Sequence, residues 1–171
     1  MRELIINVRD LVRKPGDSKS QSLTVQLVEP LEVGIVALPK DSELRVDLLL
    51  ESVQEGILAS GKVEGVASGE CSRCLKPIVL PLGVDFEELF AYSGVSDDDL
   101  LVVNDQLDLN QVVIDSVVLS LPFQPVCSQD CLGLCSVCGA RLDEHQDHGH
   151  EEAVDARWAP LSQLNLNQKD D

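Results

Sequence analysis

Six cysteines and three histidines fall into a pattern that leaves few folds open. Cys71 and Cys74 form a C-x2-C pair. Cys127, Cys131, Cys135 and Cys138 follow as C-x3-C-x3-C-x2-C, with His145, His148 and His150 soon after. In a C-x2-C turn two sulfurs can face one centre while the intervening backbone amides point at them. Zn2+ takes four such ligands in a tetrahedron, at about 2.3 Å for sulfur and about 2.0–2.1 Å for nitrogen. Gly139, just after the second pair, suits a tight metal-binding turn. One isolated pair would say little; two, with a further cysteine pair and a histidine cluster, point to metal.

Compartment supports that reading. The opening residues, MRELIINVRDLVRKPGD, are too charged for a signal-peptide core. No run approaches the roughly 18 apolar residues that span a bilayer. The expectation is a cytoplasmic chain with no membrane contact, in which thiols stay reduced and act as metal ligands before they form disulfides.

The preferred grouping has two zinc ions. Cys71, Cys74, Cys127 and Cys131 would bind one, tying a β hairpin to a later segment. Cys135, Cys138, His148 and His150 would bind the other in a local loop, with His145 the least favoured histidine. Two competitors stay open: one ribbon-like site from Cys71, Cys74, Cys135 and Cys138, and a wholly local four-cysteine site at 127–138. A redox C-x2-C needs a thiolate stabilised at a helix N-terminus. Cys71 follows a strand, although Arg73 and Lys76 could favour a thiolate. An Fe–S cluster also takes four cysteines.

Hydrophobic alternation gives the frame. Leu4, Ile6 and Val8 alternate, as do Leu23, Val25 and Leu27, with a polar loop at 14–20 between them and Pro30 ending the second strand. Leu44, Val46, Leu48 and Leu50 share one phase, opposite Arg45, Asp47 and Glu51. Residues 57–70 read as a long strand weakened by Gly61, Gly65 and Gly69. Ile78, Leu80, Leu82, Val84 and Phe86 alternate next, and Pro81 there suits an edge strand. Residues 93–99 read as a loop. A helix is expected over about 108–121, capped by Asp108 with Gln111 at the capping-box position. Its inward stripe would be Leu109, Val112, Val113, Val117 and Ser120; β-branched content leaves a strand as the alternative. The expected fold class is α+β: an antiparallel β-meander with one main helix and a C-terminal Cys/His zinc-binding lobe. The expected divisions are a β-rich core at 1–125, a metal-binding lobe packed on it at 126–158, and a flexible tail at 159–171.

Three separated segments carry a resemblance. Residues 69–77, GECSRCLKP, resemble the central signature of the YceD family. LSLPFQPVCSQDCLGLCSVCG (119–139) and VDARW (154–158) resemble its later motifs, in the expected order. His148-Gly149-His150 stands where members with this cluster usually carry a C-x-C. The resemblance implies a bacterial role in accumulation or processing of large-subunit (23S) ribosomal RNA, through ribosome assembly. It also implies a gene neighbour encoding a small basic large-subunit ribosomal protein.

Charge sharpens the choice of partner. The net charge is -17, and from Lys76 to Arg141 no Lys or Arg intervenes while ten acids do. Such a surface repels phosphate backbones and attracts basic partners. Aromatics make up 3% of the chain, too few for a base-stacking platform. The expected partner is a large-subunit ribosomal protein, or pre-rRNA met locally through Arg2, Arg9, Arg13, Lys14, Arg73 and Lys76; DNA is not expected, and oligomeric state is not legible. No P-loop, dinucleotide fingerprint or Ser/His/Asp arrangement occurs. The expectation is therefore a protein with no catalytic residues, with a thiol- or zinc-dependent enzyme and a generic zinc-stapled interaction module as the alternatives.

Overall fold

The computed structural model describes residues 4–94, 99–145, 149–150 and 157. The chain divides into two compact units, residues 1–131 and 132–171. The expected tail at 159–171 lies outside the described residues, as do Arg2, His148 and most of the 154–158 motif.

The first unit is built on one long antiparallel hairpin. Strand β6 (Gly56–Glu70) and strand β7 (Pro77–Ala91) pair without a break from Gly56↔Ala91 to Glu70↔Pro77. On its other side β6 pairs first with β5 (Glu43–Ser52), then near its end with β4 (Val36–Leu38). Strand β2 (Ser18–Gln26) extends the sheet beyond β5, and β3 (Leu31–Val33) pairs with β4. Strand β1 (Ile5–Asn7) forms a separate pair with β8 (Gln106–Asp108). Helix α1 (Asn110–Ser120) packs against β7 and β3.

Alternation explains which faces are buried. Leu44, Val46, Leu48 and Leu50 of β5 all lie inside, in the single phase the sequence showed. Leu82, Phe86 and Phe90 of β7 join them, four residues apart on one face. Pro81 sits on β7, which among the described strands pairs with β6 alone, and an edge strand is where a residue without an N–H is tolerated. With aromatics scarce, leucine and valine supply most of the core.

Several expectations need correction. The described structure is mostly β, with one 11-residue helix, rather than a balanced α+β fold. The loop expected at 14–20 instead runs from the end of β1 at Asn7 to Asp17, because Ser18 already pairs with Glu51. Strands β3 and β4 are too short for a period to show. Asp108 belongs to β8; its carboxylate accepts the Asn110 amide at 2.9 Å, one residue ahead of the N-cap, Leu109. Gln111 bonds Asp115 rather than closing a capping box. Ser120 is exposed and bonds the Val117 carbonyl, while Leu109, Val112, Val113 and Val117 are buried.

Gly61 and Gly65 are clearances rather than weak points. A Cβ at Gly61 would collide with the Phe86 ring and lie 2.9 Å from Leu48 Cδ2; at Gly65 it would lie 2.6 Å from Leu44 Cδ2. Gly83, by contrast, has nothing within 4 Å of a built Cβ. Overpacking a filled core costs about 1–3 kcal/mol. Gly61→Ala should lower the unfolding free energy from urea titration by that amount, and Gly83→Ala should change it by less than about 0.5 kcal/mol. Equal midpoints for the two variants would refute this account of the sheet.

Candidate metal centres

The turn joining β6 to β7 is the first C-x2-C. The Cys71 amide donates to the Lys76 carbonyl at 2.8 Å, and the Leu75 amide donates back to the Cys71 carbonyl at 2.9 Å. Leu75 closes the turn at φ 57°, a left-handed conformation costly for a residue with a Cβ. Cys135–Ala140 repeats the arrangement. Its Cys135 amide donates to Ala140 at 2.7 Å, its Gly139 amide to Cys135 at 2.9 Å, and Gly139 has φ 74°. The two turns thus share one hydrogen-bonded frame, and only the second uses glycine at the left-handed position.

This frame aims amides at sulfur. The Val137 amide lies 3.4 Å from Cys135 Sγ, and the Ala140 amide 3.5 Å from Cys138 Sγ. Amides facing a sulfur stabilise its thiolate. The amides of Cys138 and Val137 accordingly hold the Cys135 thiol below its usual pKa. At Cys71 burial opposes ionisation, but the amides of Cys74, Cys127 and Arg73 outweigh it and bring the pKa down to about 6. At Cys74 the Lys76 amide favours the thiolate. Burial and the neighbouring thiols of Cys71 and Cys127 outweigh it, and the pKa is raised.

In the first unit four thiols converge. Cys71 Sγ lies 3.8 Å from Cys131 Sγ, and Cys74 Sγ lies 3.7 Å from Cys127 Sγ. All four sulfurs fall within 4.8 Å of one another. Sulfurs about 2.3 Å from a common centre form a tetrahedron with edges of about 3.8 Å. The spacing is far too long for disulfides, and all six cysteines are free. Cys71 and Cys74 are buried, Cys131 is half-buried and Cys127 is exposed. The donor set and its spacing fit a closed tetrahedral ion.

Contacts between distant segments hold the 127–131 loop against the hairpin tip. The Ser72 amide donates to the Pro125 carbonyl at 2.8 Å. Arg73 Nη1 donates to the carbonyls of Gln129 and Cys131, at 3.1 and 3.2 Å. Arg73 was expected to meet a partner, and here its guanidinium clamps the thiol loop. Lys76 supplies the carbonyl that closes the first turn. The sequence offered no signal for the Pro125 and Gln129 carbonyls, because backbone acceptors carry no residue signature.

In the second unit Cys135, Cys138 and His150 have ligand atoms within 4.8 Å of one another, with Cys135 half-buried and the other two exposed. His148, the expected fourth ligand, lies outside the described residues, and His145 is not in the group. Both groups could hold metal ions.

Comparison with known proteins places the chain. An uncharacterized protein of Mycobacterium tuberculosis is 38% identical over 168 residues, covering 94% of this chain and 81% of its own length. An uncharacterized protein of Mycobacterium leprae is 32% identical, covering 94% of this chain and 77% of its own. No solved structure matches the chain. A family model described as "Large ribosomal RNA subunit accumulation protein YceD" matches residues 59–165, from within β6 past both thiol clusters. With most of its length matched by that model, and nearly all of it by these relatives, the chain belongs to the YceD family.

Proposed function

We propose that this chain is a non-catalytic zinc protein that supports large-subunit ribosomal RNA accumulation by engaging a basic ribosomal protein during assembly. The family description supplies the process. The observation that carries the non-catalytic reading is the four-thiol cluster of Cys71, Cys74, Cys127 and Cys131. A catalytic zinc keeps one position open for water or substrate; four converging sulfurs leave none. The ion would act as a staple between hairpin tip and loop, and zinc would be held at both clusters.

Surface charge supports a basic protein partner over bare RNA. Asp85, Glu87 and Glu88 are exposed on β7, and Asp99, Asp108, Asp115 and Asp130 are exposed elsewhere in the first unit. Several cations are already engaged: Lys19 with Asp10, Arg45 with Asp47, Lys62 with Glu64, and Arg73 with its carbonyls. Cytoplasmic residence goes with this role; among the described residues no helix is long and apolar enough to cross a membrane. One observation favours a second reading, thiol oxidoreductase chemistry: the Cys71 pKa near 6. Its full burial counts against it, since a redox thiol must meet its substrate.

Three outcomes follow. Purified chain should carry two zinc ions by elemental analysis, and Cys71→Ser should carry one. That variant should melt at least about 10 °C lower, since each kcal/mol shifts a chain of this size by about 2–4 °C and losing the ion should remove at least about 5 kcal/mol of folding energy. Full metal content in the variant would reject the assignment.

Acid should release zinc. The folded-state pKa of Cys71 is depressed, so its thiolate stabilises the fold above the unfolded thiol pKa, and that contribution is lost as pH falls through about 6. A zinc-indicator titration should show release that rises as pH falls and steepens below about pH 6, where Cys71 also takes up its proton; release that rises with pH would contradict the site chemistry.

Titration calorimetry against small basic large-subunit ribosomal proteins should detect binding that weakens at least about tenfold between low and physiological salt. No binding at low salt, with an unchanged ribosomal subunit profile in deletion cells, would remove the proposal.

A further inference from the structure

The two thiol clusters share one backbone frame but not one setting. Cys71 and Cys74 lie at the tip of the β6–β7 hairpin, which is packed into the hydrophobic core. Contacts from Ser72 to Pro125, and from Arg73 to Gln129 and Cys131, lock the second pair of thiols to the first. The hydrogen bonds around the second turn include local ones, Leu142 to Gly133 and Glu144 to Arg141, with an isolated bridge between Leu134 and Arg141. Among the described residues from Leu132 onward no hydrophobic side chain is buried. Leu132 and Val137 are exposed, at 63% and 72%.

A segment whose described side chains bury no apolar group draws its order mainly from a metal or a covalent link. The free cysteines provide no link. Among the described residues an ion at Cys135, Cys138 and His150 is therefore the ordering contact on offer, whereas the first unit has a core of its own.

Resting on the zinc reading above, we propose that the centre at Cys135, Cys138 and His150 is an exchangeable zinc site whose occupancy orders the Cys135–Ala140 turn and residues 132–145 around it, while the four-thiol centre keeps its ion. Exposed ligands admit competing chelators and protons, and an imidazole is a neutral donor where the first centre has a thiolate. Hydrogen-bonded partners around metal ligands are worth about 10–100-fold in affinity, and at the first centre Ser72 and Arg73 hold one thiol pair against the other. Zinc availability would thus set whether the second unit is present as a folded surface, with no change in the sheet.

The test uses the full zinc-loaded chain under rising concentrations of a zinc chelator, with native mass spectrometry counting ions. Expected is a plateau at one zinc, with the second lost only at chelator concentrations at least about tenfold higher. At the plateau, hydrogen exchange should show amides at 132–145 unprotected and those of β6 and β7 unchanged. Thiol alkylation should label Cys135 and Cys138 but not Cys71 or Cys74. Cobalt substitution gives an independent readout: the first cobalt lost should remove a mixed sulfur–nitrogen spectrum and leave a four-thiolate one. Cys135→Ser should keep one zinc and an intact sheet. Loss of both ions in one step, first labelling at Cys71 and Cys74, or loss of both zincs in Cys135→Ser would each overturn the ranking. A wild-type chain that never holds zinc would reject the underlying metal reading instead.

Discussion

Fifteen consecutive pairs between β6 and β7 carry the Cys71–Cys74 turn to the tip of a stiff two-strand lever. Much else in the first unit depends on that pairing. It sets the phase that puts Phe86 over Gly61 and Leu82 near Gly65, and it gives β5 and β4 successive stretches of one strand to pair with. It also fixes the separation between the buried sulfurs and the sheet. A slip of one residue would send Leu82, Phe86 and Phe90 to the opposite face. The same slip would change the closing pair, Glu70↔Pro77, on which the turn is built.

Metal chemistry and sheet geometry are thereby joined. Four thiolates can share an ion only if two segments more than 50 positions apart in sequence meet within a few ångström. Here that meeting does not rest on sulfur alone. A backbone amide at Ser72 and the Arg73 guanidinium reach three carbonyls of the 125–131 segment. An arginine in a strongly acidic chain invites assignment to a partner. Its planar fork is equally suited to gathering carbonyls, and at position 73 it does so, two residues from one thiol and next to another.

The sequence was most legible where a period or a spacing was long. The β5 alternation, the long β6, the edge position of Pro81 and the hairpin setting of Cys71 and Cys74 could all be read from it. Helix 110–120 was readable despite its β-branched residues, because Val112, Val113 and Val117 recur at helical spacing. Three-residue strands such as β3 and β4 contain less than two periods and gave no signal. Asp108 misled because an aspartate before an apolar run reads as a cap, while here the same residue closes the β1–β8 pair and reaches the first helical amide from there. Gly61 and Gly65 misled in the other direction. Their use lies in what a neighbouring strand brings over them, which depends on register.

Leu75 and Gly139 show how local strain follows global support. They occupy the same place in the two turns, at φ 57° and 74°. A leucine there costs roughly 1–2 kcal/mol relative to a right-handed conformation, and glycine avoids most of that. The first turn can sustain the cost because a fully paired hairpin and a hydrophobic core hold its two ends. The second has no buried apolar side chain among its described residues, and there residue choice relieves the strain instead. Glycine at 139 removes the penalty that Leu75 carries. The same frame is thus sustained in one place by the sheet beneath it and eased in the other by the residue at its left-handed position.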